Sequence, residues 1–174
     1  MTYSPPPDSA PAARKTGSPK LQSLLIAALV LLLDLLTKTA VASWIPYGHS
    51  IPVLGSFVRL TYIRNPNALF GISLGNNFPY PLAGLIATLI IVVALVVEKD
   101  PVPIRIFGLF LGGALGNLLD RIRFGSVVDF VDVGIGRYRW PVFNLADAAI
   151  TIGLVIYALY VIWKPKKEKE EEPS

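Results

Sequence analysis

Four long apolar stretches constrain this chain more than any other feature of its sequence. Their predicted bounds are 21–43, 80–97, 102–119 and 142–163. A helix needs about 20 mostly apolar residues to cross the hydrocarbon core of a bilayer. Charged residues make up 16% of the chain, against roughly a quarter of an ordinary soluble domain. The sequence therefore predicts an all-α integral membrane protein with four transmembrane helices.

The links between these stretches differ in length and character. The link between the second and third stretches is short, whereas the other two are long. Residues 57–64 are rich in Val, Thr, Tyr and Ile, which favour strands. A second β-prone run, SVVDFVDV, lies at 126–133. We expect a small β-cradle at the membrane surface over about residues 45–78.

The two ends of the chain differ from its apolar middle. Residues 1–20 are rich in Pro, Ser and Ala, which predicts a disordered tail. Residues 164–174 are a solvated run of charges. The membrane domain therefore spans 21–163. Nine Lys and Arg residues lie in the tails and the short link, against six in the long links, which places both termini in the cytoplasm and both long links outside.

The composition excludes several kinds of chemistry. The chain has no cysteine, so disulfides and thiolate catalysis are excluded. Its one histidine, His49, is expected in a loop and cannot form a histidine-rich metal site. The net charge of +4 reports membrane topology, because no basic and aromatic pattern indicates a nucleic-acid partner.

Ionisable residues occur within the first apolar stretch, where they are costly and usually face the interior of a bundle. Asp34 and Lys38 are four residues apart and therefore share a helix face. They form either a structural ion pair near the outer end of the span or a pair that shapes a functional site.

Polar residues also gather where the third stretch ends, in GGALGNLLDR. Gly112 and Gly116 form a small-xxx-small face, which favours close helix packing. Asn117, Asp120 and Arg121 follow within five residues. This density is either an ordinary polar helix end or part of a site.

The fourth stretch opens with Asn144, Asp147 and Thr151, at intervals that place them on one helix face. Asp147 has no Lys or Arg three or four residues away, so a carboxylate there would be either neutralised or paired from elsewhere in the fold. In the run at 126–133, Asp129 and Asp132 would point to opposite faces of a strand. We therefore expect these two acids to have different roles.

These residues leave one plausible chemistry. The chain has neither an HExxH motif nor a credible Ser–His arrangement. Two carboxylates, one on a link and one on a helix, could meet at the outer membrane surface and share a proton. One would activate water as a general base while the other polarises a carbonyl.

Four stretches carry a resemblance to a known family. They are DLLTK at 34–38, RNPNALF at 64–70, GNLLDRIRFGSVVDFVD at 116–132 and FNLADAAITIG at 143–153. In this order the chain resembles the lipoprotein signal peptidases, or signal peptidases II, of bacteria. The resemblance covers residues 21–163.

The resemblance implies an aspartic-type intramembrane endopeptidase with four transmembrane helices and an extracytoplasmic β-cradle. Such an enzyme works as a monomer in the bacterial inner membrane, among membrane lipids, with its active site at the outer face. It cleaves diacylglyceryl-modified prolipoproteins just before the lipidated cysteine, without a metal or organic cofactor. The catalytic aspartates of the family map onto Asp129 and Asp147. Its supporting residues map onto Asn65, Asn117, Asp120, Arg121, Asn144, Asp34 and Lys38.

One position departs from the family pattern. Asn67 stands where the family usually has glycine, and it follows Pro66. Asparagine tolerates a left-handed backbone better than most residues, so we expect the turn to survive.

Two other functions fit the polar residues less well. A proton-coupled transporter would use Asp34, Asp147 and Arg121 as a relay, but four spans are few for one and no inverted repeat is visible. A scaffold or assembly factor would leave Asp147 and Asn144 unexplained.

Overall fold

The computed structural model describes residues 17–67, 74–75 and 78–164. Four helices and four strands lie in this part of the chain. They are α1 Pro19–Trp44, β1 Ser50–Leu54, β2 Val58–Asn65, α2 Tyr80–Val97, α3 Pro101–Phe124, β3 Val127–Ile135, β4 Tyr138–Arg139 and α4 Leu145–Trp163. Each helix is long and apolar enough to cross a membrane, so the predicted class is confirmed.

The helix bounds follow the predicted stretches with local differences. Helix α2 coincides with its prediction, and α1 begins two residues earlier, at Pro19. Helix α3 continues past residue 119 and ends where Gly125 adopts a left-handed conformation, with φ of 69°. The predicted tails lie outside the described residues up to residue 16 and beyond residue 164.

Helix α4 begins three residues later than its predicted start at 142. The side chain of Asn144 accepts a hydrogen bond from the backbone N–H of Asp147, and this N-cap sets the first turn. The preceding residue, Phe143, is extended and bridges to Val131. The first residues of the predicted fourth stretch are therefore not helical. Phe143 lies beside strand β3, and Asn144 caps the helix.

The strands form one antiparallel sheet in the order β1-β2-β3-β4. Strand β3 comes from the link between α3 and α4 and pairs along β2. The strand-rich region is therefore wider than residues 45–78, because the second β-prone run supplies the pairing partner that β2 would otherwise lack. The sheet packs on the end of α1, where Tyr62, Val128 and Phe130 bury apolar surface against Val41 and Ile45.

Helix α3 contacts each of the other three helices. A Cβ atom added to Gly108 or Gly112 would lie 2.5 or 2.6 Å from a backbone oxygen of α1. One added to Gly113 would lie 2.6 Å from the carbonyl oxygen of Ala146 in α4. Small residues therefore let both neighbours approach α3 closely, which confirms the packing predicted for this face.

The two ends of the helix bundle differ. Helices α1 and α3 finish at the end that carries the sheet, called here the sheet end. At the opposite end Asp100 caps α3, and its carboxylate accepts from Tyr160 and, at 2.8 Å, from Lys164. The pKa of Asp100 is lowered to about 2, chiefly by the hydrogen bonds from Lys164 and Tyr160.

Candidate active site

Asp129 and Asp147 are linked through a single side chain, Asn144. The Nδ2 atom of Asn144 donates to Asp129 Oδ1 at 2.7 Å. Its Oδ1 atom accepts from the backbone N–H of Asp147 at 2.9 Å. Asn144 is completely buried, so strand β3 and the first turn of α4 meet at one fixed point. The two acids are called the acid pair below.

Asp129 is buried in strand β3, with only 1% of its surface exposed. Its second oxygen, Oδ2, accepts from Asn65 Nδ2 at 2.9 Å. Burial, reinforced by the negative charge of Asp147, raises the pKa of Asp129 to about 7. The amide hydrogen bonds from Asn65 and Asn144 oppose that rise. The site thus holds a carboxyl that changes charge near neutral pH.

Asp147 also accepts from an amide. Asn117 Nδ2 donates to its Oδ1 atom at 2.7 Å. Within the described part of the chain, no lysine or arginine forms an ion pair with Asp147. Asp147 therefore receives a hydrogen bond from elsewhere in the fold, one of the two expected outcomes, and its donor is a neutral amide. Thr151 lies on the same helix face, as predicted. Its hydroxyl donates to the backbone oxygen of Asp147 at 2.8 Å and not to the Asp147 carboxylate.

A second group of buried charges lies beside the acid pair and is called here the Lys38 cluster. Lys38 Nζ lies 2.7 Å from Asp34 Oδ2 and 3.1 Å from Asp120 Oδ2. It also donates to Asn117 Oδ1 at 3.1 Å. The predicted Asp34–Lys38 pair is therefore present, and the fold adds a second acid to it.

The two acids of the Lys38 cluster hold the backbone next to the acid pair. Asp34 Oδ1 accepts from the N–H of Ala146, which precedes Asp147, at 2.9 Å. Asp120 Oδ2 accepts from the N–H of Val128 at 3.1 Å, one residue before Asp129. The cluster thus positions both elements that carry the acid pair.

Gly116 makes one of these contacts possible. A Cβ atom at this position would overlap Asp34 Oδ2 and lie 3.5 Å from the Cβ of Ala146. Without a side chain on Gly116, the Asp34 carboxylate reaches across α3 to α4. The sequence assigned this glycine to helix packing, and the structure adds this polar contact.

Arg121 lies at the edge of the site and lines a cavity of about 290 Å³. Its guanidinium donates to the backbone oxygens of Asn117, at 3.4 Å, and Asn67, at 3.1 Å. Its Nε atom is buried without a hydrogen-bond partner among the described residues. The cavity lies between α2, α3 and α4, and its wall includes Asn117. The wall of the cavity therefore contains both polar and apolar side chains.

The turn that contains Asn67 brings Asn65 to the site. The backbone N–H of Asn67 donates to Asn65 Oδ1 at 2.9 Å, which leaves the Asn65 amide free to donate to Asp129. The rest of the matching stretch, from residue 68 to residue 70, lies outside the described residues.

Every predicted site residue lies in this connected group, whereas Asp132 and His49 lie apart from it. Asp132 Oδ1 pairs with Arg139 Nε at 2.5 Å and its Oδ2 accepts from Thr61, so its partners differ from those of Asp129, and the expected difference in role stays a prediction. His49 is exposed in the turn before β1, as expected.

Three of the contacts that the sequence did not indicate involve backbone groups. The N–H groups of Val128 and Ala146 and the carbonyl oxygen of Asn67 all bind predicted side chains. Every residue type carries these backbone groups. No residue type in the sequence could therefore have marked them.

Known proteins resemble this chain over most of its length. A family model described as signal peptidase (SPase) II matches residues 26–163. A lipoprotein signal peptidase of Syntrophus aciditrophicus is 44% identical over 157 residues, covering 86% of this chain and 98% of the relative. One from Moorella thermoacetica is 42% identical over 152 residues, with the same two coverages.

Solved structures resemble the fold as well. A bacterial membrane enzyme determined by the in meso method at 2.3 Å superposes with a TM-score of 0.75 and 32% sequence identity. The match covers 87% of this chain and 94% of the other. Because the family model, the relatives and the fold agree over most of its length, the chain belongs to the signal peptidase II family.

Proposed function

We propose that this chain removes signal peptides from bacterial prolipoproteins and that Asp129 and Asp147 are its catalytic residues. The observation that carries this assignment is the bridge through Asn144 between two buried acids. Each acid accepts hydrogen bonds only from amides among the described residues, and neither is in ion-pair contact with a cation there. Two carboxyl groups in such a site share a proton near neutral pH.

The shared proton supplies both halves of an aspartic protease reaction. The ionised carboxylate takes a proton from water as the water oxygen attacks the scissile carbonyl carbon. The protonated partner gives its proton to the carbonyl oxygen as the tetrahedral species forms. Return of a proton to the amide nitrogen then lets the C–N bond break. Asn65, Asn117 and Asn144 position the two acids for these steps.

The cavity beside Asn117 and Arg121 suits the signal peptide. It lies among membrane-spanning helices, so an apolar peptide can enter from the bilayer. Arg121 lines this cavity, and its terminal nitrogens carry N–H groups beyond the two that bind Asn117 and Asn67, so it can donate to a substrate carbonyl. The family substrate carries a diacylglyceryl group on the cysteine after the cleavage site, and this group would anchor the scissile bond at membrane depth.

The proposed topology places the sheet and the acid pair at the outer face of the inner membrane. Both termini are then cytoplasmic, in keeping with the excess of Lys and Arg in the tails and the short link. In this orientation the sheet is the extracytoplasmic cradle, and the substrate reaches the acid pair laterally among membrane lipids. A single chain contains the whole proposed site, so we expect a monomer to be active.

The assignment is tested with purified protein in detergent and a diacylglyceryl-modified prolipoprotein. Asp129→Asn and Asp147→Asn should each reduce cleavage at least about a thousandfold, since each removes one proton-transfer group. Asp132→Asn is the matched control, because Asp132 is a buried acid in the same strand that does not touch the site. Near-normal cleavage by either of the first two variants, with each protein monodisperse, would refute the assignment.

A further inference from the structure

A second crevice opens at the sheet end, between α1, α3 and the β2–β3 pair. Its volume is about 220 Å³, and it shares no lining residue with the cavity beside Asn117 and Arg121. Two arginines from different elements line it, Arg64 at the end of β2 and Arg123 in the last turn of α3. Apolar side chains, Leu35 and Phe124 among them, complete its wall.

The charges in this crevice do not balance locally. Neither Arg64 nor Arg123 forms an ion pair with an acid of the described chain. Asp120 is the acid in the wall, and its Oδ2 atom is occupied by Lys38 and by the N–H of Val128. Two guanidinium groups therefore line one small space without a counterion among the described residues.

Arg64 is held in place for binding. Its Nε atom donates to the hydroxyl of Tyr62 at 3.2 Å, and its guanidinium lies 4.4 Å from the ring centroid of Phe124. Both contacts leave its terminal nitrogens with no partner among the described residues. A guanidinium fixed in this way loses little conformational entropy when its remaining N–H groups bind an anion.

A helix-terminal role accounts for only one of the two arginines. Basic residues in the last turn of a helix offset the partial negative charge of its carbonyl groups, and Arg123 is placed to do so in α3. Arg64 lies on a strand, where that explanation does not apply. Its approach to the same crevice indicates a ligand with negative charge.

The position of the crevice within the membrane identifies the kind of anion. Its α1 wall runs from Leu35 to Ser43, a height of about 12 Å at 1.5 Å per residue. On the same helix Leu36, beside Leu35, and Leu32, about one turn before it, are 57% and 54% exposed. The two arginines thus lie at the sheet end of the crevice, and exposed leucines of α1 lie toward the middle of the helix. A phospholipid has the same order of a charged headgroup followed by apolar acyl chains.

We propose that this crevice binds the phosphodiester headgroup of an anionic phospholipid from the leaflet on the sheet side, with its acyl chains along α1. This site is distinct from the one proposed for the peptide, and it does not depend on the catalytic assignment. The substrate of the proposed reaction carries diacylglycerol without phosphate, so the two sites differ in the ligand chemistry that they recognise.

Native mass spectrometry of the full chain in nonionic detergent tests the site. The protein is titrated with phosphatidylglycerol, with diacylglycerol of the same acyl chains and with inorganic phosphate. Phosphatidylglycerol should bind saturably and more tightly than either probe. Arg64→Gln with Arg123→Gln should weaken its binding roughly 30-fold, at about fivefold for each arginine near the membrane surface.

The matched control is the pair Arg59→Gln with Arg137→Gln, which removes the same charge from the sheet-end region outside the crevice. It should leave the affinity for phosphatidylglycerol within about twofold of that of the unmodified protein. Equal losses in the two double variants would overturn the proposal, as would diacylglycerol binding as tightly as phosphatidylglycerol. Inorganic phosphate competing at equal affinity would show a free-anion site and would also overturn it.

The single variant Arg123→Gln tests the crevice without the risk that the protein fails to fold. Arg123 is exposed and has no hydrogen bond or ion pair within the described chain, so its replacement leaves the packing intact. About fivefold weaker binding of phosphatidylglycerol is expected for this variant alone. Unchanged affinity in a correctly folded Arg123→Gln protein would contradict the assigned role of the crevice.

Discussion

The two groups of buried acids at the sheet end are equally hidden from water but are paired differently. Asp34 and Asp120 both lie within ion-pair distance of Lys38. Asp129 and Asp147 accept instead from the amides of Asn65, Asn144 and Asn117. The first group has an internal cation and the second has only neutral donors.

This difference separates support from reactivity. A cation in contact with a buried carboxylate stabilises its charged form, whereas an amide hydrogen bond offsets less of the cost of burial. The Lys38 cluster is therefore suited to hold the backbone at Ala146 and Val128. The acid pair keeps a proton that can be exchanged, as the raised pKa of Asp129 indicates.

The largest effect on stability should come from removing the cation of the Lys38 cluster. Lys38→Met leaves two buried acids without their charge partner and should cost about 3–5 kcal/mol of unfolding free energy. Asp129→Asn should cost far less, because it replaces a carboxyl that the site does not keep ionised. Denaturant titration in mixed micelles measures both. A Lys38→Met protein as stable as Asp129→Asn would remove the distinction between the two groups.

The pH dependence of stability should show the same contrast. The folded pKa of Asp129, about 7, lies above its ordinary value near 3.9, so the native protein retains a proton that the unfolded chain has lost. Stability should therefore fall as the pH rises from about 4 to about 7, by at most about 1.4 kcal/mol per pH unit.

Unfolding curves recorded between pH 5 and pH 8 check this dependence, with Asp129→Asn as the reference. The variant lacks the titrating group, so its stability should fall less over the interval from pH 5 to 7. Identical slopes for the two proteins would show that Asp129 does not retain its proton in the folded state.

A smaller effect on stability is expected at Gly116, where α1 and α3 pack closely. Gly116→Ala places a methyl group against the Asp34 carboxylate and should cost about 1–3 kcal/mol, with reduced cleavage because Ala146 loses its acceptor. Gly84→Ala is the control, since its Cβ would meet only Leu118 Cδ1, at 3.4 Å. Equal thermal midpoints for the two variants would argue against a tight crossing at Gly116.

The smallest effect should be found at the opposite end of the bundle. Lys164 and Asp100 form an ion pair at 2.8 Å, but the side chain of Lys164 is 51% exposed. Water and salt already stabilise such charges, so Lys164→Met should leave the thermal midpoint unchanged within error. A loss comparable to that of Lys38→Met would show that burial does not control the strength of these pairs.

Much of the fold follows from local patterns in the chain. The bounds of α2 are predictable because its apolar run is uninterrupted and flanked by Pro79 and Glu98. The start of α4 was placed three residues early, because the hydrophobicity of 142–144 says nothing about the strand contact that Phe143 makes. The extent of the sheet was underestimated for the same reason, since β3 is supplied by a distant link.

The residues that form the site were also predictable, but the contacts between their side chains were not. Asp34 and Lys38 meet because four residues bring a helix back to the same face. Nothing in the sequence indicated that Asp120 would join them or that an asparagine would bridge Asp129 and Asp147. The family resemblance identified these residues without specifying which atoms would meet.

The sequence by itself therefore determined the four spans, the presence of strands and the acids that a membrane protein would otherwise avoid. The tertiary structure decided which acids received a cation and which received amides. Helical and strand periodicity act over a few residues, so they govern local faces. The environment of a buried charge depends on side chains contributed by distant elements, and here α1, α3, β3 and α4 must assemble before Asp120, Asp129 and Asp147 acquire their partners.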